Sequence, residues 1–274
     1  MACLLGKKIS VTGGTGTLAL ECGKALLEHG LSGLALLDIN PAPTFSAFQD
    51  EFPDRKIVVH RCDVTSAADL ERVMKTVEQE LGSIDILCCF AGVVGCVPSL
   101  SMTPEEWRRT LDINTTGAFL SAQAAGRVMR ERGNGGSIVF IASMSAHRVN
   151  FPQPQAAYNA SKAALLHLSH SLAAEWAVYG IRVNTISPGY MDTILNEGAG
   201  LEKARRIWQE RTPMGRMGAP QELTGPLVLM CSRFAGAYVT GTDLVVDGTF
   251  VLAGSGSIKT DYYPFCFAGG QTVF

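Results

Sequence analysis

Short apolar runs rich in β-branched residues recur along the chain, at 9–12, 34–39, 57–60, 84–91, 137–142, 182–187 and 244–246. Between them, the stretches 19–29, 67–81, 104–132, 156–179 and 220–232 carry apolar residues three and four apart, the period of a helix with one covered face. Such alternation predicts βαβ units. Several of the strand runs are apolar without polar alternation, Leu34-Ala35-Leu36-Leu37 and Ile138-Val139-Phe140-Ile141 among them, which predicts a parallel sheet covered on both sides. The expected fold is α/β: one doubly wound domain with a seven-stranded parallel sheet and helices on both faces.

No linker, charge run or internal repeat divides the chain before about residue 253, so 1–253 is expected to form the domain. The pattern changes after Asp247-Gly248. Residues 254–274 are glycine-rich and then aromatic, with Tyr262, Tyr263, Phe265 and Phe267, and are expected to be a tail lying over a subunit surface.

Composition narrows the function classes. With 47% apolar residues in 274 the core is ample, and a net charge of −2 supplies no basic stripe for a nucleic-acid backbone. Eight cysteines are scattered without zinc spacing, so no metal is expected and they suggest buried thiols in a reducing compartment. No apolar run reaches membrane-spanning length and the start of the chain is too short on apolar residues for a signal peptide, so a cytoplasmic protein is expected.

The first strand run leads into Thr12-Gly13-Gly14-Thr15-Gly16-Thr17-Leu18-Ala19 and then directly into a helix. In this context glycines have a physical purpose: Gly13 permits the tight turn, Gly16 lets backbone amides approach a pyrophosphate, and the helix N-terminus adds its positive dipole end. Asp38 ends the second strand run, where a carboxylate accepts from the adenosine ribose and repels a 2′-phosphate. No Arg or Lys follows it in Ile39-Asn40, so NAD(H) is expected in preference to NADP(H). Asp63, after the third run, stands at the same edge, within range of the adenine or as a loop cap.

Tyr158 and Lys162 share one face of a helix, one turn apart, so that the ammonium favours the phenolate over the phenol. Ser145 lies thirteen positions upstream. The spacing alone is weak evidence in a chain with six tyrosines; its combination with the glycine turn decides for hydride-transfer chemistry.

These residues resemble the short-chain dehydrogenase/reductase family over about 6–250. The likeness includes the glycine turn, Asp63, Asn114, Ser145, Tyr158, Lys162, Pro188-Gly189 with Thr193, and Val246-Asp247-Gly248. Within that family, the runs from Asn150 to Tyr158 and from Ser187 to Thr193 are similar to fungal polyol and ketose enzymes, the D-arabinitol dehydrogenase and sorbose reductase group. The resemblance implies a Rossmann-like domain that interconverts a secondary alcohol and a ketone. It implies that Tyr158 exchanges the proton, Lys162 supports it and binds the nicotinamide ribose, Ser145 donates to the substrate oxygen, and Asn114 holds a relay water. The alternative for Asn114 is a helix-interior residue bonding backbone. Cofactor contacts are implied at Gly13, Thr15, Gly16, Thr17 and Leu18, at Asp38, at Asp63 and Val64, and at Ala91 and Gly92. Further contacts are implied at Asn114, Tyr158, Lys162, Pro188, Gly189, Met191 and Thr193. Helices 104–132 and 156–179 are implied to pair across a two-fold axis, giving a homotetramer or homodimer.

The chain departs from the family pattern in three places. The glycine turn is one residue shorter than the commonest form, Phe90 stands where an Asn is usual, and the tail has no counterpart. His147 is read as a solvated loop residue or a substrate contact. Trp208, Met214 and Met217 are read as packing or as a pocket wall under a loop at 196–218. A ketoreductase of fungal secondary metabolism would share every catalytic residue, and a nucleotide-sensing protein without chemistry would share the fold.

Overall fold

The computed structural model describes residues 3–41, 45–150, 153–193 and 201–253. Seven parallel strands form one sheet: β1 (Lys8–Thr12), β2 (Gly33–Asp38), β3 (Lys56–Arg61), β4 (Ile86–Cys89), β5 (Gly136–Ile141), β6 (Ile181–Pro188) and β7 (Asp243–Val246). Their order is β3-β2-β1-β4-β5-β6-β7. The direction of winding reverses between β1 and β4, and ligands of such sheets bind at the carboxyl edge beside that point.

Alternate strand residues feed two cores. Ala35 and Leu37 of β2 face one side with Phe140, and Leu34 and Leu36 face the other with Val139. The first side is closed by α3 (Ala67–Leu81), α5 (Gly117–Arg132) and α6 (Ala156–Trp176), the second by α1 (Thr17–Glu28) and α8 (Thr224–Cys231). A strand with both faces dry has no reason to alternate polar and apolar residues, which explains the continuous apolar runs.

The helices end where local chemistry dictates. Ser66 caps α3 by accepting from the Asp69 amide, and Gly82 ends it at φ 84°. Thr103 and Glu106 form a reciprocal capping box at the start of α4 (Pro104–Leu111). The expected helix over 104–132 is present, and it runs unbroken through a π-helical turn, Asp112–Thr116, between α4 and α5. Apolar periodicity carries no signal for one extra residue in a turn, and such turns concentrate at functional sites. The segment expected as a loop contains α7 (Glu202–Arg211), whose charged sequence buries only Trp208 and so lacks an apolar stripe. Two short helices, α2 (Phe45–Glu51) and α9 (Phe250–Ala253), were also not expected.

Cys22, Cys62, Cys88, Cys89 and Cys231 are buried free thiols, whereas Cys96 is exposed. Burial pushes Cys22, Cys62 and Cys89 up to about 12. Among the described residues no helix is long and apolar enough to cross a membrane, and no His, Cys, Asp and Glu cluster suits a metal ion. The expected tail at 254–274 lies outside the described residues.

Candidate active site

The carboxyl ends of the strands gather the expected residues on one rim. After β1 the chain turns through Gly13, at φ 64°, with no room for a side chain: a Cβ there would stand 2.6 Å from the Ala91 nitrogen. Gly14, not singled out in the sequence, is as confined, since its Cβ would meet the Val11 carbonyl oxygen at 2.8 Å. Gly16 then serves as the N-cap of α1 in an extended conformation and offers no side chain to the helix's first amides. Those amides are the unsatisfied donors of a twelve-residue helix, and a glycine-walled turn in front of them fits a pyrophosphate. The residues present therefore fit a dinucleotide.

Asp38 ends β2 but does not present a free carboxylate to the rim. Its Oδ2 accepts from the Thr15 amide at 3.2 Å and from Thr15 Oγ1 at 2.8 Å, and its Oδ1 accepts from the Asn40 amide at 3.1 Å. Arg61 of β3 stands in register beside it and is exposed, a cation that adjacency in sequence did not reveal. Asp63 is a turn residue: its Oδ1 accepts from the Thr65 amide and hydroxyl. Val64 lies against Gly117, whose Cβ would come within 2.8 Å of Val64 Cγ2.

The loop after β4 carries Phe90 in place of the usual Asn, and its support comes from the π turn instead. Asn114 is buried there. Its Oδ1 accepts from the Val93 amide at 2.8 Å, and its Nδ2 donates to the Val93 carbonyl and to Ser161 Oγ, each at 2.9 Å. The Asn114 side chain thus holds backbone, and brings Ala91 and Gly92 to the Lys162 ammonium: a Cβ on Gly92 would stand 3.5 Å from Nζ.

Ser145 sits in a short 3-10 turn after β5, and Tyr158 and Lys162 rise from the first turns of α6. Lys162 is buried and donates from Nζ to the Ile141 carbonyl at 2.7 Å. Burial lowers its ammonium to about 8, with Cys89 opposing. Nζ lies 5.8 Å from the centre of the Tyr158 ring. The expected lowering of the phenol by that ammonium is not the leading effect in the protein alone: burial raises Tyr158, and a hydrogen bond with Ser143 pulls it back. Ser143 was missed in the sequence. It donates to Ser145 Oγ at 3.0 Å and accepts from the Ser145 amide. Asn150 donates from Nδ2 to the same Ser145 Oγ at 2.8 Å.

After β6, Pro188 leads to Gly189, whose Cβ would meet Asp247 Cα at 2.6 Å, so only glycine allows the chain to cross β7 here. Met191 and Thr193 are buried beyond it. His147 is exposed, as expected of a solvated loop residue, and its Nε2, 2.8 Å from Asp243 Oδ2, ties the loop to β7. Trp208 stacks on Tyr190 with ring centres 4.8 Å apart, and Met214 is exposed at a small cavity shared with Tyr190, Met191, Arg216 and Glu222. Residue 196 and its neighbours at 194–200 lie outside the described residues.

Residues 14–250 match the family described as enoyl-(acyl carrier protein) reductase. The chain belongs to the short-chain dehydrogenase/reductase family. It is 36% identical over 249 residues to a probable NADP-dependent mannitol dehydrogenase of Yarrowia lipolytica, covering 90% of this chain and 88% of that one. It is 35% identical over 261 residues to the ribulose-forming D-arabinitol 2-dehydrogenase of Candida tropicalis, covering 89% and 92%. Among solved structures, a short-chain dehydrogenase/reductase from Mycobacterium marinum superposes with a TM-score of 0.85 at 39% identity over 90% of this chain and 96% of that one. These relatives make the chain an oxidoreductase of the family, related to enzymes that act on CH–OH groups.

The expected preference for NAD(H) is overturned. The Yarrowia relative is named NADP-dependent, and so is the 3-quinuclidinone reductase of Rhodotorula rubra, an NADPH-dependent enzyme with a TM-score of 0.81 at 33% identity over 90% of this chain and 92% of that one. The physical reason lies at Asp38: Thr15 and Asn40 already take three of the carboxylate's about four acceptor sites, which leaves it a poorer acceptor for a pair of ribose hydroxyls.

Proposed function

We propose that this enzyme interconverts a secondary alcohol of a polyol and the corresponding ketose with NADP(H). One observation carries the chemistry: Tyr158, Ser143, Ser145 and Asn150 form a continuous hydrogen-bonded set beside the buried Lys162, at the rim where the glycine turn opens α1. The substrate class rests on the names of the relatives, and NADP(H) rests on those names together with the largely engaged Asp38 carboxylate and the exposed Arg61.

Gly13, Thr15, Gly16, Thr17 and Leu18 would hold the pyrophosphate through backbone amides, and Lys162, Pro188, Gly189, Met191 and Thr193 would hold the nicotinamide end. The nicotinamide, when bound, supplies the hydride acceptor or donor. The chain's own task is the proton. In oxidation the Tyr158 oxygen takes the hydroxyl proton, and in reduction it returns one to the nascent alkoxide. Burial that raises Tyr158 suits the acid role, and a cation at Lys162 suits the base role, so loading of the site decides which form is held. Ser145 donates to the oxygen on which charge develops, and a fixed donor in a dry site costs little reorganisation at the moment of reaction.

Assembly as a homodimer or homotetramer belongs to the same proposal. Trp107 of α4 is 40% exposed, and most of α6 between its buried positions faces outward through Ala163, Ala164, His167 and Ala174. Sedimentation checks it, and a monomer at all concentrations refutes it. The activity is tested with a panel of polyols plus NADP and ketoses plus NADPH, followed at the nicotinamide absorbance. Turnover with sugars and polyols is expected, and turnover confined to compounds without hydroxyl groups refutes the substrate class.

A further inference from the structure

Buried polar atoms in a folded protein are almost always hydrogen-bonded, and one that is not asks for a partner that arrives later. Among the described residues five buried side-chain atoms have none, and three of them are amide oxygens between Ser145 and Lys162: Asn150 Oδ1, Gln155 Oε1 and Asn159 Oδ1. Asn150 and Gln155 are only 4% and 6% exposed. All three are acceptors, so the missing partners are donors. Hydroxyl groups are the donors that a polyol brings.

Asn150 occupies the decisive position. Its Nδ2 donates to Ser145 Oγ at 2.8 Å, and Ser143 donates to the same oxygen at 3.0 Å. Asn150 thus holds Ser145 Oγ through one of its lone pairs and leaves the hydroxyl proton to donate to the reacting oxygen of a substrate. The other end of the amide, Oδ1, hangs from the same carbon as the group that grips Ser145. It therefore lies one short step from the atom that touches the reacting oxygen. On the substrate, one short step from that oxygen is the hydroxyl of the next carbon.

We propose that Asn150 reads the hydroxyl beside the reacting carbon, so that the site is built for vicinal diols and the matching α-hydroxyketones rather than for isolated alcohols and ketones. The inference rests on the polyol and ketose reading above and narrows it. Nδ2 makes Asn150 a positioning residue for Ser145, and Oδ1 makes it a specificity residue. A substrate with the neighbouring hydroxyl supplies the bond that Oδ1 lacks, and one without it leaves Oδ1 unpaired. Sites that leave their own polar groups unpaired discriminate strongly against such analogues.

The test compares 3-hydroxy-2-butanone with 2-butanone, which differ only in that hydroxyl, as substrates for reduction with NADPH. Wild type is expected to favour the hydroxyketone in kcat/KM by at least about tenfold. Asn150→Leu should bring the two within about threefold, mostly by loss on the hydroxyketone. Asn150→Asp keeps an acceptor and loses the donor; it should keep the preference while kcat falls on both substrates, because Ser145 then donates into the carboxylate. NADPH binding and thermal melting of each variant establish that it is folded. If Asn150→Leu does not fold, loss of kcat with retained preference in Asn150→Asp is the supporting result, and loss of preference in that variant the overturning one. Equal loss on both substrates in Asn150→Leu marks a structural role and overturns the inference. Wild type that reduces 2-butanone as well as the hydroxyketone, or that is active on the sugar panel and inert with the hydroxyketone, overturns the inference alone. Wild type inactive on the sugar panel and on both ketones overturns the proposed function with it.

Discussion

Replacing Lys162 by Met should stabilise the protein without cofactor at neutral pH while removing most of its activity. Lys162 is 6% exposed, and its ammonium titrates at about 8 in the fold against an ordinary 10.5, because burial disfavours the charge. That difference corresponds to about 3 kcal/mol held against the charged native form at pH 7. Met fills a similar volume without charge, but leaves the Ile141 carbonyl without its 2.7 Å donor, at a cost of about 1–3 kcal/mol. The net gain is about 0–2 kcal/mol, and for a domain of this size each kcal/mol moves Tm by about 2–4 °C. Between about 8 and 10.5 the unfolded lysine still binds a proton that the native one has released, so wild type gains stability as pH rises and the variant does not. The difference between variant and wild type, measured by urea unfolding at pH 7 and near pH 10, should shift by about 3 kcal/mol in favour of wild type. A difference that stays flat within about 1 kcal/mol across that range refutes the reasoning, whichever protein is the more stable.

Tyr158→Phe removes only the proton-carrying oxygen, so kcat should fall by about 10² or more with NADPH binding nearly unchanged, as turnover and fluorescence titration would show. Wild type should have a higher kcat/KM with NADP(H) than with NAD(H), and Thr15→Val, which removes the 2.8 Å hydroxyl bond to Asp38 and leaves the two amide bonds, should free one acceptor site and reduce that ratio; an unchanged ratio counts against the account of Asp38. Gly13→Ala and Gly82→Ala both impose a positive φ on a side chain, but only the first places a Cβ against backbone, 2.6 Å from the Ala91 nitrogen, whereas the second meets nothing within 4 Å. Chemical denaturation should show a loss of about 1 kcal/mol at Gly82 and clearly more at Gly13.

What the sequence disclosed and what it withheld divide along a physical line. Strands of a sheet covered on both sides must be apolar throughout, so β2 and β5 were legible as strands, and the spacing of Tyr158 and Lys162 fixed their common face once α6 was known to be a helix. Spacing places a residue on an element, but not the direction in which its polar atoms bond. Asp38 stands where the pattern put it, yet the Thr15 hydroxyl and two amides take its oxygens, and the conclusion drawn from residue type alone was reversed. The π turn at Asp112–Thr116 was equally invisible, because one residue added to a turn leaves the apolar period almost unchanged while re-aiming Asn114 at Val93.

Ser143 and Asn150 show the same limit at the chemistry itself. Each is a polar residue in a loop, where solvent is the default partner, and neither stands at a helical spacing from anything catalytic. They matter because the turn after β5 and the approach to α6 fold both onto one oxygen atom, Ser145 Oγ. On the proposed reading, the serine, tyrosine and lysine would supply chemistry shared by any alcohol and ketone pair, which is why spacing can single them out. Choice among substrates has to come from groups that bond only when a particular hydroxyl is present. Before the substrate arrives, such a group looks like an unsatisfied buried atom, and Asn150 Oδ1 is one. Specificity in this enzyme is therefore to be sought in hydrogen bonds the protein alone leaves unmade, and those become visible only after every other bond in the site has been assigned.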